Sequence, residues 1–414
     1  MPDNSASAGG CVSTQRTVID LLPLERCAGC SVCSNVCLVQ ALTMQPDVLG
    51  FDYPHIDDSI CTHCGQCAAV CPVLNVSDKH VSPRDEPQAL AAWADDELLR
   101  QESSSGGVFG AIATDSIAKG GVVAGVRLNV DQRRAEHYLC TTVADLACAR
   151  GSKYIQSHPG TIYNDVCTYL CMGRQVLFSG TPCQVAGMRR LAVQCGGVGL
   201  LSVVEVICHG VPSEVVWWGY LTSLEARYGS KVTDYRFRSK SPAGWHGYSA
   251  VARFANGREY VRNHGQDFFN VAFLRDYCLR RSCYDCEFCA ENSVADLTLG
   301  DFWGVPLSLD DDKGVSIAVV RTACGQALLD QCGHLQSSVV SLAVAQAGNP
   351  RLKSGHIGIP QQRDDFKRVL LEEGYDAVLE RYLQPTRLSW RQMASRTYHS
   401  LKRALGNDKG GKAK

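Results

Sequence analysis

Cys27, Cys30, Cys33 and Cys37, then Cys61, Cys64, Cys67 and Cys71, repeat the spacing C-x2-C-x2-C-x3-C, and Pro72 closes the second copy. Thiolates at that doubled spacing hold two 4Fe-4S clusters, the fourth ligand of each cube arriving from the other run. One cluster is expected on Cys27, Cys30, Cys33 and Cys71, the other on Cys61, Cys64, Cys67 and Cys37. Zinc sites pair two C-x2-C units rather than triplets, and disulfide frameworks belong to small secreted chains, so neither alternative matches. Leu38 stands where the first copy would often carry proline, which alters the loop's exit and removes no ligand. Residues 22–76 read as an α+β ferredoxin-like unit that carries single electrons.

A second cysteine group lies far downstream: Cys183 in GTPCQ, Cys208 in CHGVPS, and Cys278, Cys283, Cys286 and Cys289 in CLRRSCYDCEFC. It reads either as a zinc knuckle closed by Cys278 or as part of a third iron–sulfur cluster completed by Cys183 and Cys208. Cys11, Cys140, Cys148, Cys167, Cys171, Cys195, Cys324 and Cys332 are scattered and read as core or surface residues. Three glycine-bearing loops offer hydroxyls and bare amides to a phosphate: Ser103 to Gly107 ahead of a helix, Gly151 to Tyr154 with the cation Lys153, and Ser179 to Cys183 between a strand and a helix. A serine–glycine run before a helix is more often only a cap, and a lone lysine more often a solvated one. No G-x-G-x-x-G follows a strand, so an ordinary nicotinamide site has no support. His209, His246 and Asp301 are polar groups placed near these motifs, without an assigned catalytic role.

The elements that must position them follow from the pattern. A length of 414 residues with 45% hydrophobic composition supports two or three domains. Residues 1–21 are expected to be disordered, 77–88 to form a charged linker, 89–345 a large domain and 346–414 a helical C-terminal region. In the large domain, apolar runs at 122–128, 176–178, 200–207 and 315–320 read as buried strands. Residues 107–118, 184–191, 213–227 and 324–331 read as helices between them, an α/β sheet covered by helices. Residues 232–261 change to polar, aromatic strands around Asn256-Gly257, a hairpin expected to decorate the site. The 41 basic and 42 acidic residues leave no broad basic surface, which argues against a nucleic-acid partner. Met1 to Gly10 has neither a basic start nor an apolar segment, Gly196 to Val211 is interrupted by Glu205 and His209, and 22 cysteines suit a reducing interior, so the expected location is cytoplasmic.

The motifs SSGGVFGAI, GSKYIQS, VLFSGTPCQVAGMRRL, VICHGVPS and SCYDC followed by ADLTLGDFWG, in that order behind the ferredoxin unit, resemble the coenzyme F-420 hydrogenase/dehydrogenase beta subunit family. Members are FAD-containing iron–sulfur oxidoreductases; they include reductases of the deazaflavin coenzyme, chlorophyll-pathway reductases and bacterial forms associated with surface polysaccharide. The resemblance implies an FAD site using Ser105, Gly106, Gly107, Lys153 and Thr181, and a third 4Fe-4S cluster on Cys183, Cys208, Cys283 and Cys286. The expected function is a flavoprotein oxidoreductase passing electrons between 4Fe-4S clusters and FAD, and acting on a small organic substrate or the deazaflavin. The alternative is an electron-transfer subunit without its own substrate; either needs a redox partner protein or ferredoxin. A basic tail at 387–414 with Trp390, Met393, Leu401 and Leu405 on one helical face is expected either to dock on the large domain or to contact an anionic membrane at its cytoplasmic face.

Overall fold

The computed structural model describes residues 16–77, 83–84 and 86–383. The basic tail at 387–414, Cys11 and most of the linker expected at 77–88 lie outside them, as do residues 1–15. Fourteen strands are described: β1 (Leu42–Pro46), β2 (Asp52–Ile56), β3 (Gln88–Ala94), β4 (Val122–Asn129), β5 (Arg134–Cys140), β6 (Ser157–His158), β7 (Val176–Gly180), β8 (Leu201–Val206), β9 (Val232–Ser239), β10 (Ser249–Phe254), β11 (Glu259–Asn263), β12 (Leu297–Asp301), β13 (Ser316–Val320) and β14 (Leu335–Val340).

The N-terminal unit is ferredoxin-like. Each cysteine run is a loop ending in a short helix, Val32–Asn35 or Gln66–Val70, and β1 and β2 pair antiparallel between them. The two loops repeat their backbone. Gly29 and Ser31 in the first, and His63 and Gly65 in the second, hold left-handed conformations at matching offsets from their cysteines. Within the segment expected to be disordered at 1–21, Val18–Leu21 instead form a helical turn, fixed by a reciprocal Thr17–Asp20 cap. Its Val18 N–H donates to Cys67 Sγ at 3.3 Å, so this turn covers the second cysteine loop.

The large domain is built on a nine-stranded sheet in the order β14-β3-β13-β12-β8-β7-β4-β5-β6. Its centre, β12, β8, β7 and β4, is parallel, with antiparallel partners on either side. Central strands such as β13 (SIAVV) are apolar on both faces, which is what two covered faces require. Val123, Leu177 and Val204 face the helix Val108–Ala118, whereas Ala124, Phe178 and Val203 face the helices Ile162–Cys171 and Pro182–Gln194 together with the ferredoxin unit. The expected hairpin is a three-stranded antiparallel sheet, β11-β10-β9, turning at Asn256-Gly257 with Gly257 left-handed.

The ferredoxin unit does not hang on a linker. Its Val18, Leu22 and Val32 share one core with Tyr163, Val185 and Met188 of the large domain. Tyr163 Oη donates to Cys30 O (2.8 Å), Gln156 Nε2 to Gly29 O (2.7 Å) and Ser282 Oγ to Cys27 O (3.0 Å). The boundary expected between 345 and 346 is also displaced: the helix Leu342–Gly348 runs across it. Beyond it, the helices Arg363–Glu372 and Tyr375–Tyr382 place Phe366, Val369 and Val378 in one core with Trp217.

Candidate functional site

The carboxyl ends of the parallel strands open onto a cavity of about 420 Å³, the position where α/β sheets receive ligands. Ser179-Gly180-Thr181 at the end of β7, Ile207-Cys208-His209 after β8, and Gly300-Asp301 at the end of β12 line it. Ser103 to Ser105, Gly107 and the first turn of the helix Val108–Ala118 close one side. That helix begins at left-handed Gly107 with no side-chain cap, so its first-turn amides lack a capping partner. Four basic side chains, Arg150, Lys153, Arg238 and Arg351, line the cavity against one carboxylate, Asp301.

The candidate FAD residues divide. Ser105, Gly107, Lys153 and Thr181 all line the cavity. Gly106 does not: it lies beneath, where a Cβ would meet Ala92 O at 2.4 Å, so its lack of a side chain serves contact with β3. Ser105 Oγ is spent on Val315 O (2.9 Å), and Lys240 Nζ holds Ser105 O and Lys313 O, each at 2.6 Å, pinning the loop. Thr181 forms a capping box with Gln184, its hydroxyl donating to Gln184 Oε1 at 3.0 Å. Lys153 is half-buried as a whole, but its amino group is enclosed and donates to Cys148 O (3.0 Å) and Arg150 O (2.8 Å). That burial pushes its pKa down to about 7.

Behind the cavity the downstream cysteines gather. Cys208 neighbours Cys283, Cys183 and Cys286, and Cys183 neighbours Cys286 and Cys283. Cys289 joins them, its Sγ 3.4 Å from Cys286 Sγ in a geometry that favours the Cys286 thiolate. Cys278 does not: it is buried apart, in one core with Trp217 and Phe269. Burial pushes the Cys183 thiol up to about 12, the Cys283 thiol up to about 11 and Cys208 well above its ordinary value. Buried thiols of this kind ionise only opposite a positive counter-charge, which iron supplies. Among the described residues no three His, Cys, Asp or Glu side chains are arranged to hold a single metal ion. The same holds for the ferredoxin cysteines, whose thiolates must span a four-iron cube.

The three cysteine sets form a series. Cys64 is exposed and neighbours Cys67 with Cys61, whereas Cys27, Cys30, Cys33 and Cys71 are buried neighbours of one another. Cys37 is half-buried and packs on the same core as the first loop. Cys30 in turn neighbours Cys183. The series runs from the surface at Cys64 to the cavity wall at Cys208.

Of the polar candidates, His209 lines the cavity, with Nε2 2.6 Å from Asp276 Oδ1 and its ring edge-on to Phe273 at 4.8 Å. Asp301 lines it too, held by Arg238 and by Trp245 Nε1 (2.8 Å). His246 is paired with Asp310 at 2.9 Å and is not among the lining residues. The sequence reading missed Arg238, Tyr248 and Arg351. Cys289 belongs to the downstream cysteine group read from the sequence, and Cys283, Cys286 and Cys289 repeat the C-x2-C-x2-C spacing of the ferredoxin loops.

The chain matches three family models: the coenzyme F420 hydrogenase/dehydrogenase beta subunit N-term over residues 89–161, the C terminus of that subunit over residues 173–341, and the 4Fe-4S dicluster domain over residues 26–75. No curated protein matches it. Among solved structures, a chain of the xenon-derivatised F420-reducing NiFe hydrogenase complex from Methanosarcina barkeri is similar at 15% identity, with 70% of this chain and 94% of that chain covered and a TM-score of 0.46. No helix among the described residues is long and apolar enough to cross a membrane.

Proposed function

The chain belongs to the coenzyme F420 hydrogenase/dehydrogenase beta subunit family, and from that premise we propose that it is a flavin-dependent oxidoreductase moving electrons between a redox partner and a small organic acceptor in the cavity. The observation that carries this reading is the series of thiol sets leading from the surface to the cavity wall. The two ferredoxin clusters sit on the doubled run; the third takes Cys183, Cys208, Cys283 and Cys286, with Cys289 a hydrogen-bonding neighbour of Cys286.

FAD fits the cavity on two counts: an uncapped helix start and a fourfold excess of basic over acidic lining groups suit a diphosphate. Gly107, Lys153 and the turn at Thr181 would hold it. When bound, such a flavin exchanges a hydride with organic substrates and single electrons with clusters. The protein's part is to position and insulate. Lys240 fixes the Ser103 to Gly107 loop through Ser105 O, Lys153 braces the opposite loop, and Trp303, Tyr248 and Phe273 make the wall apolar. Electrons from a ferredoxin or partner subunit would enter near Cys64 and Cys37, where Leu38 is 96% exposed. The organic acceptor, the deazaflavin coenzyme among the candidates, would meet the flavin in this cavity; the alternative is a relay without its own substrate.

The test is anaerobic purification followed by iron and flavin analysis, then reduction of candidate acceptors. The reading expects about twelve irons, for three 4Fe-4S clusters, and one FAD per chain. A chain with about eight irons and no FAD would overturn it.

A further inference from the structure

Arg238 is the penultimate residue of β9, on the three-stranded insertion, and reaches into the cavity with a side chain only 2% exposed. Its charge is permanent. Nη1 donates to Asp301, whose other oxygen is already taken by Trp245 Nε1. The guanidinium lies 4.1 Å from the ring centroid of Tyr248 and 5.1 Å from that of Trp303, which fixes its plane. Nε and Nη2 have no hydrogen-bond acceptor.

Those two nitrogens are the side-on edge of the guanidinium, the pair whose parallel N–H bonds match two oxygens of a carboxylate or phosphate. A buried cationic donor without an acceptor is costly; the Tyr154 hydroxyl lies beside the guanidinium, but no acceptor among the described residues is in hydrogen-bonding geometry with Nε or Nη2. Asp301 balances the charge of Arg238, and Lys240 beside them adds only part of a charge near neutral pH, because burial pushes its pKa down to about 7. We infer that the Nε/Nη2 edge of Arg238 is a subsite for a two-oxygen anionic group, a carboxylate or phosphate carried by the molecule bound in the cavity. The inference rests on the cavity being the binding site proposed above. It adds that the ligand is an acid, held through one planar fork.

The group could belong to the acceptor or to the cofactor, and the arms of the test separate them. Calorimetric titration of the anaerobic holoprotein with benzoate, benzamide and inorganic phosphate needs no flavin signal, so it reads independently of whether FAD is present. The wild type should bind an anion, benzoate at least about tenfold more tightly than its neutral isostere benzamide or phosphate with comparable preference, because hydrogen bonds to charged groups discriminate by that order. Arg238→Met should abolish the preference, and Arg238→Lys, which keeps the charge without the fork, should restore only part of it. Arg253→Met, at an exposed position on β10, should match the wild type. If Arg238→Met keeps its flavin but loses anion binding, the acid belongs to the acceptor. If it loses the flavin stoichiometrically, the acid is the cofactor's phosphate. A wild type with no preference for either anion combined with an Arg238→Met protein that keeps its full flavin, or an Arg238→Met protein unchanged in both anion binding and flavin content, would overturn the subsite.

Discussion

Arg280→Met should loosen the ferredoxin unit from the large domain. Arg280 is fully buried between the first cysteine loop and the downstream cysteine segment. Its Nη2 donates to Gln156 Oε1 (2.9 Å) and Asp52 O (3.1 Å), and its charge lies 5.0 Å from the Phe51 ring centroid and 4.8 Å from that of Tyr53. Methionine fills much of the volume but leaves both acceptors without a donor. Two hydrogen bonds to a charged group are worth about 3–6 kcal/mol in total, and relief of the buried charge's desolvation offsets part of this, leaving a net loss of about 2–4 kcal/mol. At roughly 2–4 °C per kcal/mol, the first anaerobic thermal transition, followed by cluster absorbance, should fall by roughly 4–16 °C. The guanidinium also favours the thiolates of Cys27, Cys183 and Cys283, so its removal should lower the reduction potentials of the clusters on both sides. Arg280→Lys should keep the potentials closer to wild type while still losing stability. A methionine variant melting within about 1 °C of wild type, with unchanged potentials, would refute the idea that this cation joins the two units.

His158 lies between Asp52 Oδ2 (3.2 Å) of the ferredoxin unit and Glu214 Oε1 (2.6 Å) of the large domain. Burial opposes its charge, but hydrogen bonds to both carboxylates outweigh that and lift its pKa to about 9. Relative to an unfolded value near 6.5, this contributes about 3 kcal/mol, complete below about pH 6.5 and lost as pH rises through about 9. Denaturation midpoints should decline across that window, and His158→Gln should flatten the decline; parallel profiles would remove the clamp. Lys153→Glu should strip most of the FAD from the purified protein, whereas full flavin content would leave Lys153 as a brace for Cys148 O and Arg150 O only. Cys289→Ser should leave total iron unchanged while shifting the third cluster's potential; a loss of about four irons would make Cys289 a ligand instead.

Fixed spacing made much of this legible in the sequence. The doubled run located the ferredoxin unit, and apolar runs located β4, β7, β8 and β13 because buried central strands must be apolar on both sides. Polar strands such as β5 and the edge strands β6 and β14 carry no such signature. Arg238 was invisible for a related reason: β9 reads VTDYRFRS, and nothing in it separates exposed Arg236 from buried Arg238. Gly106 shows the converse, since a glycine beside phosphate-like motifs looked like a ligand contact but is required by the carbonyl of Ala92. Cys289 was legible as a member of the downstream group, although the resemblance implied a four-cysteine set without it. Docking contacts such as Gln156 with Gly29 join residues too distant in sequence for any periodicity to link them.

The third cluster, linking ferredoxin to cavity, is the central claim, and Cys283→Ser combined with Cys286→Ser tests it most directly. After anaerobic purification, total iron should fall by about four per chain. The low-temperature paramagnetic signals of the two ferredoxin clusters should persist, and reduction of the bound flavin through the ferredoxin unit should slow sharply. Unchanged iron content with wild-type flavin reduction would contradict the account.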